Sequence, residues 1–240
     1  MYQLYCNINM LDKAIESTTS INLSIGCSLG YLYSLYVLLN YMKKTEKKYD
    51  LKKVLMCYNS AQIAVNTYII YGTYYIISIP NIFAINTQYT DSVKYFTYLH
   101  YLSKYLDYLD TYFIILKRKD KEQLSFLHVY HHSTISLIWA YLINNGHGNG
   151  TVAYCALINS FVHLVMYSHY LVTSFGYKNP FKKLVTMSQI AQFYSCIMHS
   201  AIVILYENIV PKKYAFLEFG YHTSLIVLFT NFYNKTYKLK

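Results

Sequence analysis

Three imidazoles crowd the stretch LHVYHHSTI, residues 127–135, where His128, His131 and His132 occupy positions i, i+3 and i+4. On a helix that spacing puts all three on one face. Imidazole can act as nucleophile, general base or metal ligand near neutral pH, so this stretch is the first candidate for chemistry.

Three other runs carry polar groups in apolar surroundings. VKYFTYLHYLSKYLDYLDTYFIILKRK, residues 93–119, holds Lys104, Asp107 and Thr111 at i, i+3 and i+7, with Asp110 one residue off that stripe. NSFVHLVMYSHY, residues 159–170, holds Asn159, His163 and Tyr167 at i, i+4 and i+8, and TMSQIAQF, residues 186–193, holds Gln189 and Gln192 at i and i+3. Each has a plainer reading alone. Lys104 and Asp107 can form a buried ion pair that only serves packing, His163 a hydrogen-bonded core residue, and the glutamines a polar link between helices.

The elements that must position these groups follow from composition. The chain is 55% hydrophobic and 13% charged, with a mean hydropathy of +0.18, which is membrane-protein composition. Charges are bunched. Between them lie seven apolar or tyrosine-rich runs, 21–42, 54–79, 93–116, 123–143, 151–174, 181–206 and 214–233, each close to the ~20 residues of a spanning helix. The expected architecture is an all-α, polytopic membrane protein of seven transmembrane helices, one domain over residues 1–240, with sequence neighbours antiparallel. The first twenty residues include Asp12, Lys13 and Glu16 and lack a basic start followed by an apolar core, so the first run, not a cleaved signal peptide, is expected to direct insertion.

Lysine and arginine set the expected orientation. KKTEKKYDLKK, KRKDKE, GYKNPFKK and NKTYKLK follow runs one, three, five and seven and hold 16 of the 21 basic residues. The loops PNIFAINTQYTD and NNGHGNG hold none, and Lys212 with Lys213 is the discordant pair. The N-terminus is therefore expected outside or in a lumen and the C-terminus in the cytosol. Measured from the cytosolic end at ~1.5 Å per residue, Asp110, Asp107 and Lys104 lie roughly 9–18 Å deep. His131 lies about 12 Å deep, His163 about 15 Å, and Gln189 and Gln192 about 12–16 Å. A charge at mid-helix costs roughly 2.5–3.5 kcal/mol, so these groups must face protein. Four consecutive runs are expected to share one buried polar site.

Other classes fit less well. The net charge of +10 is explained by topology and an anionic leaflet, not by nucleic acid, since no soluble face carries a basic patch. Cys6, Cys27, Cys57, Cys155 and Cys196 are scattered without a CxxC pair and read as buried small apolar residues, neither a disulfide frame nor a metal site. HxxHH on a helix can bind metal, and a metal-dependent membrane desaturase or hydroxylase is one alternative. Such enzymes need several histidine clusters, whereas His100, His147, His169, His199 and His222 stand singly here. No metal is expected. A seven-helix transporter or receptor is the other alternative, but paired repeats and helices broken by Gly or Pro are not evident.

At this point the sequence resembles the ELO family of very-long-chain fatty acid elongases, membrane 3-ketoacyl-CoA synthases, from the second run to the seventh. SKYLDYLDTYF resembles the KxxExxDT box, LHVYHH the HxxHH box, NSFVHLVMYSHY the NxxVHxxMYxYY box and TMSQIAQF the TxxQxxQF box. Asp107 stands where the family usually has Glu, and His169 where it usually has Tyr; both changes keep polarity.

The resemblance implies condensation of a long-chain acyl-CoA with malonyl-CoA to a 3-ketoacyl-CoA two carbons longer, with release of CO2 and CoA. It points to His131 and His163 as the principal catalytic residues, with His132 moving protons and His128 orienting its neighbours. Lys104, Asn159, Gln189, Gln192 and Tyr167 are expected to contact substrate, and Asp107 and Asp110 to hold Lys104 and the imidazoles. An acyl-chain tunnel is expected among helices two to seven, with Trp139 and Tyr141 as candidate wall residues. No cofactor beyond the two CoA substrates is expected. The implied partners are the bilayer, a ketoacyl reductase, a dehydratase and an enoyl reductase, with self-association allowed. The implied location is the endoplasmic reticulum membrane. The NGT sequon at Asn149 falls in a loop too short to expect glycosylation.

Overall fold

The structure, a computed structural model, describes residues 2–76, 81, 83–87, 90–147, 150–177 and 180–238. Among the described residues there is no strand, and the regular elements are helices. They are α1 (Tyr2–Thr18), α2 (Ile21–Lys44), α3 (Lys52–Ile76), α4 (Asp91–Leu106), α5 (Tyr108–Leu116), α6 (Asp120–Gln123) and α7 (Phe126–Asn144). A 3-10 turn at Gly150–Val152 leads into α8 (Ala153–Ser174), followed by α9 (Lys182–Tyr206), α10 (Lys212–Tyr233) and a π turn at Asn234–Lys238. The sequon at Asn149 lies outside the described residues.

The apolar runs fall on α2, α3, α4 with α5, α7, α8, α9 and α10. Three segments, Ile21–Lys44, Gly150–Ser174 and Lys182–Tyr206, are long and apolar enough to cross a bilayer. The protein is an all-helical membrane protein. The sequence reading did not anticipate α1, and it treated the third run as one helix. That run breaks at Asp107: the Asp107 N–H bonds Ser103 O at 3.1 Å, but the Asp110 N–H bonds Asp107 O at 3.2 Å, so the ladder tightens locally to i→i−3.

The chain forms two compact units interleaved in sequence. Unit 1 comprises Met1–Leu51 and Thr97–Gly148, and unit 2 comprises Lys52–Phe96 and Asn149–Lys240, the boundary falling within α4. In unit 1, α2 buries Ser24, Ser28, Tyr31, Leu35 and Met42 along one stripe, while Leu23, Leu29, Tyr33, Tyr36 and Val37 are exposed. Small polar residues inside and apolar residues outside are what a lipid solvent favours, because only protein neighbours can satisfy a hydroxyl there. The Ser28 hydroxyl donates to Ser133 O at 2.9 Å, Ser34 and Tyr112 share a hydrogen bond of 2.6 Å, and Tyr31 stacks on Tyr108 at 4.1 Å. Just past the end of α7 comes Gly146, whose φ of 76° lets the N–H groups of Gly146 and His147 reach Ile143 O and Leu142 O at 2.9 and 2.8 Å.

In unit 2, α3 packs along α8, and α9 packs on α8 and α10. Gly72 of α3 admits the Phe96 ring: a Cβ at residue 72 would lie 2.0 Å from Phe96 Cζ. Past the end of α9, Glu207 collects donors from distant parts of the unit. It accepts from Asn86 N at 2.8 Å, Asn208 N at 2.9 Å, Ile209 N at 2.7 Å and the Thr151 hydroxyl. Burial pushes the Glu207 carboxyl up, but those hydrogen bonds outweigh it and hold the group below the usual carboxylate range. The uniform reading of the cysteines needs correction. Cys155 and Cys196 are buried, but Cys27 is half-buried and Cys57 is exposed, since an outward thiol on an apolar helix meets lipid as easily as core.

Candidate functional site

In unit 1 the histidine stretch opens a helix. Ser125 caps α7, its hydroxyl accepting the His128 N–H at 3.2 Å, which places His128, His131 and His132 in the first two turns. The rings of His128 and His132 stack at 4.2 Å with 24° between planes, and His131 meets His132 edge-on at 5.7 Å. All three are half-buried. Their orientation is tied to the preceding helix by a hydroxyl relay. Thr111 Oγ1, fully buried, is 2.7 Å from Tyr31 Oη and 2.8 Å from His128 Nε2, so α2, α5 and α7 meet at one oxygen. Tyr108 adds a second tie from α5 to α7, 2.9 Å from Ser136 Oγ.

Lys104 and Asp107 pair as their i, i+3 spacing suggests, with Lys104 Nζ 3.3 Å from Asp107 Oδ2. Both are buried, at 1% and 3% exposure, so the pair is shielded and each charge depends on the other. The pair straddles the helix break at Asp107. Asp110 is half-buried in the first turn of α5.

In unit 2, α8 carries Asn159, His163 and Tyr167. His163 is buried and meets the Tyr167 ring at 5.7 Å. The Tyr167 hydroxyl lies 3.3 Å from Tyr58 Oη and accepts from Gln62 Nε2 at 3.2 Å. Gln62 also donates to Tyr58 Oη at 2.9 Å. On α9, Gln189 Nε2 donates to Met166 Sδ at 3.4 Å, one turn beyond His163, and Gln192 is buried. The structure thus gathers the expected residues in two groups. Lys104, Asp107, Asp110, His128, His131 and His132 belong to unit 1; Asn159, His163, Tyr167, Gln189 and Gln192 belong to unit 2.

The sequence reading missed the polar stripe of α3, where Tyr58, Gln62 and Asn66 recur at i, i+4 and i+8 and Gln62 and Asn66 are each 1% exposed. The same spacing that drew attention to Asn159, His163 and Tyr167 was present there. It also passed over His199 and His222 as singletons. Cys196 and His199 stand at i, i+3, and Glu218 and His222 at i, i+4, on neighbouring helices.

An all-helical chain with apolar segments long enough to span a bilayer and polar groups buried in both of its units belongs to the class of helical membrane proteins. The comparisons give that class a family. Residues 17–240 match ELO, the GNS1/SUR4 family, and the chain belongs to it. Over 219 residues it is 43% identical to Fatty acid elongase 5 of Leishmania major, covering 88% of this chain and 84% of that one. It is 42% identical over 208 residues to Fatty acid elongase 4 of Trypanosoma brucei brucei, covering 85% and 80%. Very long chain fatty acid elongase 4 of Homo sapiens is 34% identical over 227 residues, covering 88% and 70%.

Proposed function

We propose that the protein is a fatty acid elongase that condenses a long-chain acyl-CoA with malonyl-CoA. The observation that carries this reading is the family match across residues 17–240, which takes in all four polar motifs. The ordered histidines at the start of α7 support the chemistry. His131 attacks the acyl thioester carbonyl, the C–S bond breaks, and CoA leaves with a proton. Malonyl-CoA then loses CO2, and the resulting carbanion attacks the acyl carbon and expels His131, giving the 3-ketoacyl-CoA. His163 and His132 move protons or stabilise the enolate, and His128 orients its neighbours. Lys104, Asn159, Tyr167, Gln189 and Gln192 hold the thioesters or the CoA moiety, and Asp107 and Asp110 hold Lys104 and the imidazoles. No cofactor beyond the substrates enters the scheme.

The seven-span topology, the acyl-chain tunnel, a luminal N-terminus with a cytosolic C-terminus, residence in the endoplasmic reticulum, and partnership with the reductases and dehydratase belong to the same proposal. Trp139, buried against His100 with ring centroids 4.8 Å apart, is the candidate end wall of the chain site.

The test is direct. Purified protein given both CoA esters should release CO2 and CoA and form a 3-ketoacyl-CoA, and acyl-CoA alone should release about one equivalent of CoA per site. Absence of any condensation across acyl-CoAs of graded length would sink the assignment. Intersecting double-reciprocal plots without a CoA burst would keep the activity and make His131 a base.

A further inference from the structure

Cys155, His199 and Glu218 come from three helices of unit 2, α8, α9 and α10, and their exposures are 4%, 0% and 7%. Their potential ligand atoms all lie within 4.8 Å of one another. Cys155 Sγ is 3.8 Å from His199 Nδ1, and His199 Nδ1 is 4.0 Å from Glu218 Oε2. His199 Nε2 lies 3.0 Å from Phe83 O. A carbonyl oxygen only accepts, so Nε2 carries the proton and Nδ1 turns its lone pair toward the thiol and the carboxylate. Metal-binding imidazoles are held this way, their second nitrogen donating to a backbone carbonyl. The Tyr154 ring lies flat against the imidazole at 4.5 Å, fixing its plane.

Two more donor residues adjoin. Cys196 stands one turn before His199 on α9 beside Cys155 and His222, and His222 Nδ1 donates to Glu218 O at 2.8 Å, leaving Nε2 as an acceptor. Two thiols, a carboxyl and two imidazoles therefore stand on three neighbouring helices, all more than nine-tenths buried. Acidic groups buried so deeply are neutralised or compensated by a cation.

We propose that this cluster is a structural zinc site, with Cys155, His199 and Glu218 as ligands and Cys196, which stands outside that close group, swinging in to fill the fourth position. Thiolate, imidazole and carboxylate together suit zinc better than magnesium or calcium, which prefer oxygen alone. Bonds of ~2.0–2.3 Å in a tetrahedron separate the ligand atoms by roughly 3.3–3.8 Å, so Cys155, His199 and Glu218, within 4.8 Å of one another, need move by only about an ångström to close on the ion, and Cys196 by more. On binding, the two S–H bonds break, their protons pass to solvent, and two S–Zn bonds form without redox change.

A filled coordination shell leaves no position for substrate. Along α8 Cys155 lies eight residues from His163, about 12 Å, so the site's role is to tie α8, α9 and α10 together next to the motif helices and apart from the proposed catalytic histidine. This departs from the expectation that the chain holds no metal and that its cysteines are inert packing, and it is independent of the proposed condensation.

The experiment is elemental analysis of detergent-purified protein carrying no histidine tag. The wild type is expected to hold about one zinc per chain, His131→Ala to keep it, and Cys155→Ser and His199→Gln to lose it. Should those two variants misfold, cobalt loaded into the wild type decides the matter, a tetrahedral visible spectrum with a thiolate-to-cobalt band being the expected result. A wild type with neither stoichiometric zinc nor that spectrum, zinc unchanged in folded ligand variants, or a mass lower by two hydrogens from a Cys155–Cys196 disulfide would each overturn the site.

Discussion

Replacing Thr111 by Val tests whether the hydroxyl relay sets the histidine cluster. Valine has nearly the same shape and a similar helix propensity, so neither a cavity nor a backbone effect is introduced. What disappears is one oxygen that bonds Tyr31 Oη at 2.7 Å and His128 Nε2 at 2.8 Å. Thr111 is wholly buried and Tyr31 is 3% exposed, so Tyr31 is left with a stranded hydroxyl, at about 1–3 kcal/mol. His128 is half-buried, and its share belongs at the low end of the same range. The sum is about 2–4 kcal/mol, equivalent to a fall in Tm of roughly 5–15 °C for a chain of this size. Thr111→Ser keeps the oxygen and loses a methyl group, a change of about 1 kcal/mol. Thermal unfolding in detergent and CoA release from acyl-CoA are the two readouts. The Val variant is expected to lose on the order of 10–100-fold in CoA release because His128 no longer fixes the stack, while the Ser variant stays near wild type. If Val matches Ser in both stability and rate, the relay does not position the histidines.

The remaining predictions concern other parts of the molecule. His131→Ala is expected to abolish condensation and acyl-CoA-dependent CoA release while the protein still inserts, whereas His147→Ala, beyond the end of α7, leaves both unchanged; equal damage from His147 would refute the assignment of the site. The Glu207 carboxyl is held below its ordinary value of 4.5, so its contribution to stability is full above that value and is lost as pH falls through the lower folded value. Unfolding followed from about pH 6 down to pH 3 should show that loss, and Glu207→Gln, which turns an amide toward two of the donors, should be less stable at neutral pH by about 2–4 kcal/mol and lack the acid dependence. Gly72→Ala forces a Cβ into the Phe96 ring, which Tyr68 and Tyr95 each approach at 5.2 Å, and is expected to cost about 1–3 kcal/mol. Adding Phe96→Ala should recover part of that loss, and failure to do so would place the strain elsewhere.

Helix positions were largely legible because apolar runs bounded by lysine clusters leave little freedom in where a helix starts and stops. The pairing of Lys104 with Asp107 was legible for the same reason, since i, i+3 neighbours on a helix have few other partners. The break at Asp107 was not, because no Gly or Pro marks it and the stretch from Ser103 to Asp110 reads as a continuous helix. The two interleaved units were equally hidden, since periodicity reports faces of helices and not which faces meet. The donor cluster on α8, α9 and α10 escaped for a related reason. Cys155 and His199 lie 44 residues apart and Glu218 sits on a further helix, and a search along the chain weighs each as a singleton. Only packing turns Cys196 with His199 and Glu218 with His222 into one group.

The carboxylate of Glu207 also bears on how the protein is made. Asn86 binds it across 121 residues and Thr151 across 56, so both segments leave the ribosome well before the group that holds them. At about 5–20 residues per second, the Asn86 turn waits roughly 6–24 s for its anchor. During that interval all of the second stretch of unit 1 is synthesised, and until its later part, when α8 (Ala153–Ser174) follows, α3 has no α8 to lie against. Unit 2 is therefore completed late, and the early membrane intermediate must keep α3, with its buried Gln62 and Asn66, in the company of some other polar surface. Nascent chains arrested before and after residue 207 should differ in protease protection of the segment around Asn86, with protection gained only once Glu207 has emerged.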